Sequence, residues 1–159
     1  MKTLDARAVA VEHVGSTSVP GLAAKPIIDL EIVVASASLV PMAIEGLAKL
    51  GYAHRGDLGI EGREAFDSPS GLPAHHLYVC VLDNTALKNH LTIRDYLRRH
   101  SAAAEKYGNL KKKLARQFPT DIDRYSAAKT DFLLEVLRQT GLSDRELTAN
   151  RDANRISKG

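Results

Sequence analysis

The chain reads as an α+β domain: a mixed β-sheet in its first half with helices packed on it, and a helical C-terminal half. Three observations predict this. Short apolar runs with period-two alternation are confined to residues 8–82. After Asp83-Asn84 the apolar spacing changes to three and four. A length of 159 residues suffices for one core that buries about two-thirds of the unfolded surface. A single domain is therefore expected over residues 1–142, followed by a tail over 143–159 that loses pattern and is expected to be poorly ordered.

The elements follow in order. Ala8 to Val14 alternates and predicts the first strand. Gly15 to Gly21 is a loop closed by Pro20-Gly21, and Leu22 to Ala24 allows a short helical turn. Pro26 to Ala35 is the second strand, the proline being tolerable because it opens the segment. Ile28, Leu30 and Ile32 face one layer, and Asp29, Glu31 and Val33 the other. Ser38 is placed to cap a helix that Pro41 enters early and Gly51 stops after Leu50. Tyr52–Arg55 and Gly62–Asp67 read as strands between glycine-rich turns, and Ser68 to Pro73 as a loop. His75 to Leu82 is a strand with Leu77, Val79 and Val81 on one side. Residues 85–99 form one or two helices. Residues 101–117 carry Ala103, Tyr107, Leu110 and Leu114 at spacings of four, three and four, a one-sided stripe that Pro119 ends. Asp121 to Gln139 is the last helix, with Phe132, Leu133, Val136 and Leu137 inward.

Composition narrows the class of function. An apolar content of 44% with 26% charged residues is ordinary for a soluble globular protein. One cysteine, Cys80, excludes an internal disulfide and suits a reducing cytoplasm. No apolar run approaches the ~20 residues of a membrane span, and no cationic leader precedes an apolar core. A soluble cytoplasmic protein without a membrane partner is expected. The net charge of +3 hides an asymmetry: residues 1–85 carry six Lys/Arg against ten Asp/Glu, and residues 86–130 eleven against four. The basic half could attract polyanions, although solvated helix faces account for most of that excess. Five Tyr, three Phe and no Trp leave little material for stacking bases, so nucleic acid is disfavoured as the main ligand.

The segment Gly15-Ser16-Thr17-Ser18-Val19-Pro20-Gly21, followed by Asp29-Leu30-Glu31, carries the chemistry. Backbone amides of a tight turn and the hydroxyls of Ser16, Thr17 and Ser18 can donate to phosphate oxygens. Gly15 permits close approach and Lys25 can neutralise charge. A Walker loop is excluded, because Leu22 rather than a lysine follows Gly21. Asp29 and Glu31 share a strand face roughly 7 Å apart, a spacing at which two carboxylates can gather Mg²⁺ for a triphosphate. The plainer reading is a structural turn with satisfied hydroxyls and a solvated acid pair. Arg63, Arg94, Arg98, Lys111 and Lys129 are candidates for phosphate contacts; solvation is the simpler expectation for Lys111 to Lys113.

These residues also carry a resemblance. VEHVGSTSVPGLAAKPIIDLEIVV (residues 11–34) looks like the opening signature of the GrpB family. Arg63 and Phe66, His75 to Cys80, His90-Leu91, Arg94 to Arg98, Leu110-Lys111 and Tyr125 to Lys129 resemble its later blocks. The resemblance covers roughly residues 8–140 and implies a nucleotidyltransferase-like fold. It also implies an N-terminal helix ahead of the signature, for which this sequence leaves little room. It places His76 beside the acid pair, as a general base or a metal ligand. The implied function is Mg²⁺-dependent transfer of a nucleotidyl group to a small acceptor by Asp29, Glu31 and His76. The alternatives are a non-catalytic nucleotide- or coenzyme-binding sensor or accessory domain, and a protein-interaction module.

Overall fold

The computed structural model of the chain describes residues 8–143, 145–148 and 151. Five strands form one mixed sheet: β1 (Ala8–Val14), β2 (Ile28–Val34), β3 (Ala53–Gly56), β4 (Arg63–Asp67) and β5 (His75–Val81), in the order β1-β2-β5-β4-β3. The two central strands, β2 and β5, run parallel, and every other pairing is antiparallel. A parallel pair needs a long crossover. Here the chain travels through helix α1 (Val40–Lys49) and the β3–β4 hairpin before β5.

Central strands covered on both faces need apolar residues at consecutive positions. Ile32, Val33 and Val34 of β2, with Val79 and Cys80 of β5, meet that need and are buried. One face carries Ile32, Val34, Leu77, Val79 and Phe66, packed against Ala43 and Leu47 of α1. The opposite face carries Val33 and Cys80 against Leu87 of α2 (Thr85–Arg99). Helices α3 (Ser101–Gln117) and α4 (Ile122–Gln139) complete that second layer. Val19, the residue directly after the hydroxyl-rich turn, is buried there with Leu97, Ala104 and Tyr107. This anchor ties the loop after β1 to the helical layer.

Several boundaries differ from the sequence reading. The turn lies not at Leu22–Ala24 but at Ser16–Ser18, a 3-10 turn closed by Ser18 Oγ donating to the Gly15 carbonyl at 2.5 Å. β2 starts at Ile28, because Pro26 lacks an N–H and the Ile27 amide donates to the Lys25 carbonyl at 2.8 Å. Ser38 does not cap α1: its hydroxyl pairs with Ser36 at 2.8 Å, and a 3-10 turn over Ala37–Leu39 precedes the helix. Pro41 in the first helical turn has no amide to leave unsatisfied. Residues 85–99 are one helix, capped by the Asn84 side chain accepting from the Leu87 amide at 3.0 Å.

The stripe of α3 is turned slightly from the expected one: Ala104, Tyr107, Gly108 and Leu114 are buried. In α4 Leu134 is buried with Val136 and Leu137, while Phe132 stacks on Tyr107 with ring centroids 4.9 Å apart. Residues 145–148 are helical, and Leu147 packs on Leu134 and Leu137. The rest of the expected tail lies outside the described residues.

Candidate functional site

Period-two alternation puts Asp29 and Glu31 on the sheet face that α2 to α4 cover. The parallel register sets Asp29 beside His76 and Glu31 beside Tyr78, with Arg63 of β4 beside Cys80. The two carboxylates have opposite surroundings. Asp29 is partly exposed, and its Oδ1 accepts from His76 Nδ1 at 2.7 Å. Its Oδ2 faces Gly15, where the backbone adopts φ 74° and no Cβ intrudes. Glu31 is 0% exposed; its Oε1 accepts from His90 Nδ1 of α2 at 2.6 Å, and its Oε2 has no partner.

Arg63 is 7% exposed, lies 4.4 Å from the Tyr78 ring centroid and leaves Nε unpartnered. It acts as a cation inside the sheet–helix layer rather than as a solvent-facing phosphate contact. Burial pushes the Cys80 thiol up to about 12, with Glu31 adding to the effect, and raises the Tyr78 phenol. His75 points to the other face, held by Tyr52, Ser68 and the Pro73 carbonyl.

The loop hydroxyls are largely committed. Thr17 Oγ1 pairs with His13 Nε2 at 2.8 Å, and buried Ser18 bonds within its own turn. The amides of Ser18 and Val19 donate to Gly15 and Ser16. Ser16 faces elsewhere: Lys111 Nζ donates to its Oγ at 2.7 Å, and Tyr107 engages the same hydroxyl. Arg94, read from the sequence as a phosphate contact, is held instead by Glu12 at 2.6 Å, Asp95 at 2.9 Å and the His13 carbonyl at 3.1 Å. Arg98 likewise donates to the Ser18 carbonyl at 2.8 Å. Both arginines fasten the β1 end and its loop to α2.

The free positive charge comes from lysines. Lys111 is brought from 10.5 down to about 8, first by burial and then by the charge of Lys129. Lys129 is lowered by burial; Asp29 counteracts this, and Lys25 adds to it. The lysine run splits around the helix: Lys111 turns to Ser16, whereas Lys112, Lys113 and Arg116 line a shallow surface depression. Solvation therefore describes the second group and not Lys111.

His90 and Tyr107 are the site neighbours that sequence reasoning missed. His90 sits between Leu87 and Leu97 at spacings of three and seven, a polar residue on a buried stripe. Lys111 lies four residues after Tyr107 and three before Leu114, on the buried face of α3. Both patterns were present in the chain.

A titratable amine held below its ordinary value has a measurable signature. Between about pH 8 and 10.5 the unfolded chain retains a proton on Lys111 that the folded chain has released, so this residue makes stability rise with pH across that window. Below about pH 8 its full cost applies. Lys111→Met is expected to stabilise the protein by about 1 kcal/mol at pH 7, after discounting for solvent screening. Paired urea titrations should find the advantage gone near pH 10.5.

Mg²⁺ takes oxygen ligands in near-octahedral order, through one or two carboxylates plus substrate phosphates. The acid pair does not fit a shared ion as it stands, because Glu31 is sealed beneath His90. Asp29 alone has the exposure to bind a cation. Among the described residues no three His, Cys, Asp or Glu side chains gather into a metal cluster, and no helix is long and apolar enough to cross a membrane.

A five-stranded mixed sheet with helices on both faces and a helical C-terminal half defines an α+β domain, here with a lysine-lined turn at the edge of its acidic strand. The chain belongs to the GrpB family: the family model described as GrpB protein matches residues 1–139. It is 38% identical over 151 residues to the UPF0157 protein YqkA of Bacillus subtilis, covering 95% of this chain but 40% of that relative. It is 33% identical to the glutamate-rich protein GrpB of Alkalihalophilus pseudofirmus, covering 81% of this chain and 77% of the relative. A crystal structure of the conserved protein GrpB from Enterococcus faecalis superposes with a TM-score of 0.73 at 37% identity, covering 87% of this chain and 86% of that one. The chain thus spans less than half of the YqkA relative.

Proposed function

We propose that the domain binds a phosphorylated small molecule, a nucleotide foremost, between the Gly15–Ser18 turn and the lysines of α3 and α4. One observation carries this reading: Lys111, partly buried and repelled by Lys129, donates at 2.7 Å to the one loop hydroxyl turned toward it, while Asp29 offsets the cost at Lys129 more than Lys25 adds to it. Cations gathered against their own repulsion and partly buried are stabilised by an anion. The nucleotidyltransferase-like fold implied by the resemblance makes a nucleotide or coenzyme the natural anion. On this reading the domain is a nucleotide- or coenzyme-binding accessory or sensor domain.

The test is thermal unfolding with a panel of nucleoside mono-, di- and triphosphates and phosphorylated coenzymes, with and without Mg²⁺. A ligand at one hundred times its Kd adds about 2.7 kcal/mol, which is roughly 5–11 °C for a chain of this size. The shift should be lost in the Lys111→Ala/Lys129→Ala double variant. No shift with any phosphorylated ligand would sink the reading and leave the basic surface of α3 as a protein-interaction face.

A second reading, nucleotidyl transfer, is favoured by the partly exposed Asp29, whose Oδ1 pairs with His76 Nδ1 at 2.7 Å. Asp29 would hold Mg²⁺ together with phosphate oxygens of the substrate, and the ion would neutralise charge on the leaving group. His76, oriented by Asp29, would take the acceptor's proton. Pyrophosphate release over a library of acceptors, lost in Asp29→Asn, distinguishes transfer from binding alone.

A further inference from the structure

We propose that Ser16 is a nucleophile and Lys111 its general base, a serine–lysine pair that accepts the phosphoryl or nucleotidyl group of a phosphoanhydride held at the turn. For its substrate the proposal rests on the phosphate-binding reading above; the pair itself rests on geometry. Ser16 opens the 3-10 turn and is partly exposed, with Lys111 Nζ 2.7 Å from its Oγ. Tyr107, one helical turn before Lys111, engages the same oxygen. Val19, buried against Leu97, Ala104 and Tyr107, pins the loop over α3, so a packed core sets this approach.

Proton ownership gives the contact a direction. Burial raises the Tyr107 phenol, and its interaction with Ser16 acts in the opposite direction. Lys111, brought down to about 8, gives up its proton as the pH passes that value. In that form the hydrogen bond reverses and Ser16 donates to Lys111 Nζ. The charged and titratable groups around Lys111 are Tyr107 on its own helix and Lys129 on α4. Asp29 and Lys25 act on Lys129, and Tyr125 acts on Tyr107. Burial first, and then the charge of Lys129, lower Lys111, and no carboxylate among the described residues opposes that effect there. A lysine that only satisfied a hydroxyl would function as an ammonium and gain nothing from a cationic neighbour.

In the first step the Ser16 Oγ–P bond forms, while the P–O bond to the leaving group breaks and its electron pair departs with that group: the remaining nucleoside phosphate in phosphoryl transfer, pyrophosphate in nucleotidyl transfer from a triphosphate. The Ser16 proton moves to Lys111 Nζ. In the second step an acceptor hydroxyl or water attacks the same phosphorus and the Oγ–P bond breaks. Lys111 returns its proton to Ser16, and the acceptor's proton leaves to solvent. Asp29 and Glu31 are not needed as nucleophile or base in either step.

A fluorophosphonate probe tests the pair without presuming a substrate, because its capture forms the same Oγ–P bond and expels fluoride. Intact-mass and peptide analysis should find one adduct per chain, on Ser16, formed at a rate that rises as pH passes about 8. Lys111→Met, expected above to be the more stable protein at pH 7, should slow labelling about 100-fold or more, the usual scale of general-base assistance. No adduct on Ser16, a rate flat from pH 6 to 10, or unchanged labelling in Lys111→Met would overturn the proposal. Thermal shifts by nucleotides are read separately. Labelling without a shift keeps the pair and removes the nucleotide reading; a shift without labelling does the reverse.

Discussion

Replacing His90 with leucine is expected to destabilise the domain by about 3 kcal/mol, the lower end of the cost of stranding a buried charge. Glu31 has no exposed surface, and its described hydrogen bond is to His90 Nδ1 at 2.6 Å. With the imidazole gone, Oε1 joins Oε2 in having no partner. In a chain of this size the melting temperature should fall by roughly 6–12 °C. The double variant Glu31→Leu/His90→Leu should recover most of that loss, since an apolar pair of similar volume often matches or exceeds a buried ion pair. A double-mutant cycle by urea unfolding then isolates the pair's coupling. The result also bears on the two readings of the acid pair. If His90→Leu costs less than about 0.5 kcal/mol, Glu31 is reached by water and becomes available to a cation. If it costs the full amount, Glu31 is a structural charge and Asp29 is the carboxylate left for ligand chemistry.

The fold was legible wherever one periodicity operated alone. Alternation in Ile28–Val34 and His75–Val81 defines two strands and assigns Asp29, Glu31, Tyr78 and Cys80 to one face, with no knowledge of their neighbours. The change to helical spacing after Asn84 is equally local. Registers and helix rotations are not local. Asp29 meets His76 because β2 and β5 run parallel with those residues paired, and no residue in either strand encodes that choice alone. His90 reaches Glu31, and Lys111 reaches Ser16, because packing around Leu87, Leu97, Ala104 and Val19 sets how the helices sit on the sheet. A polar residue on an otherwise apolar stripe was the available sign in both helices. Arg94 misled for the related reason that its partners, Glu12 and the His13 carbonyl, lie 82 and 81 residues away. Charge alone cannot distinguish such a strut from a free cation.

Gly15→Ala is expected to cost about 3 kcal/mol and to disturb the candidate site at its centre. Gly15 lies at φ 74°, ψ −175°, a region that is essentially glycine-only and costs other residues about 1–3 kcal/mol. A Cβ there would also collide with Asp29 Oδ2. Gly21 supplies the control, because it has a similar φ of 76° with nothing within 4 Å of an added Cβ. Gly21→Ala should therefore report backbone strain alone, about 1 kcal/mol, and the difference between the two variants measures the steric contact. Relief at Gly15 requires Asp29 to swing away, and Asp29 Oδ1 is what holds His76 Nδ1 at 2.7 Å. The His76 imidazole resonances in NMR spectra should consequently move in Gly15→Ala and stay in place in Gly21→Ala. Equal destabilisation by the two substitutions, with His76 unmoved in both, would mean that Asp29 is not held against the turn. The apposition of strand acid and loop on which the site depends would then be absent.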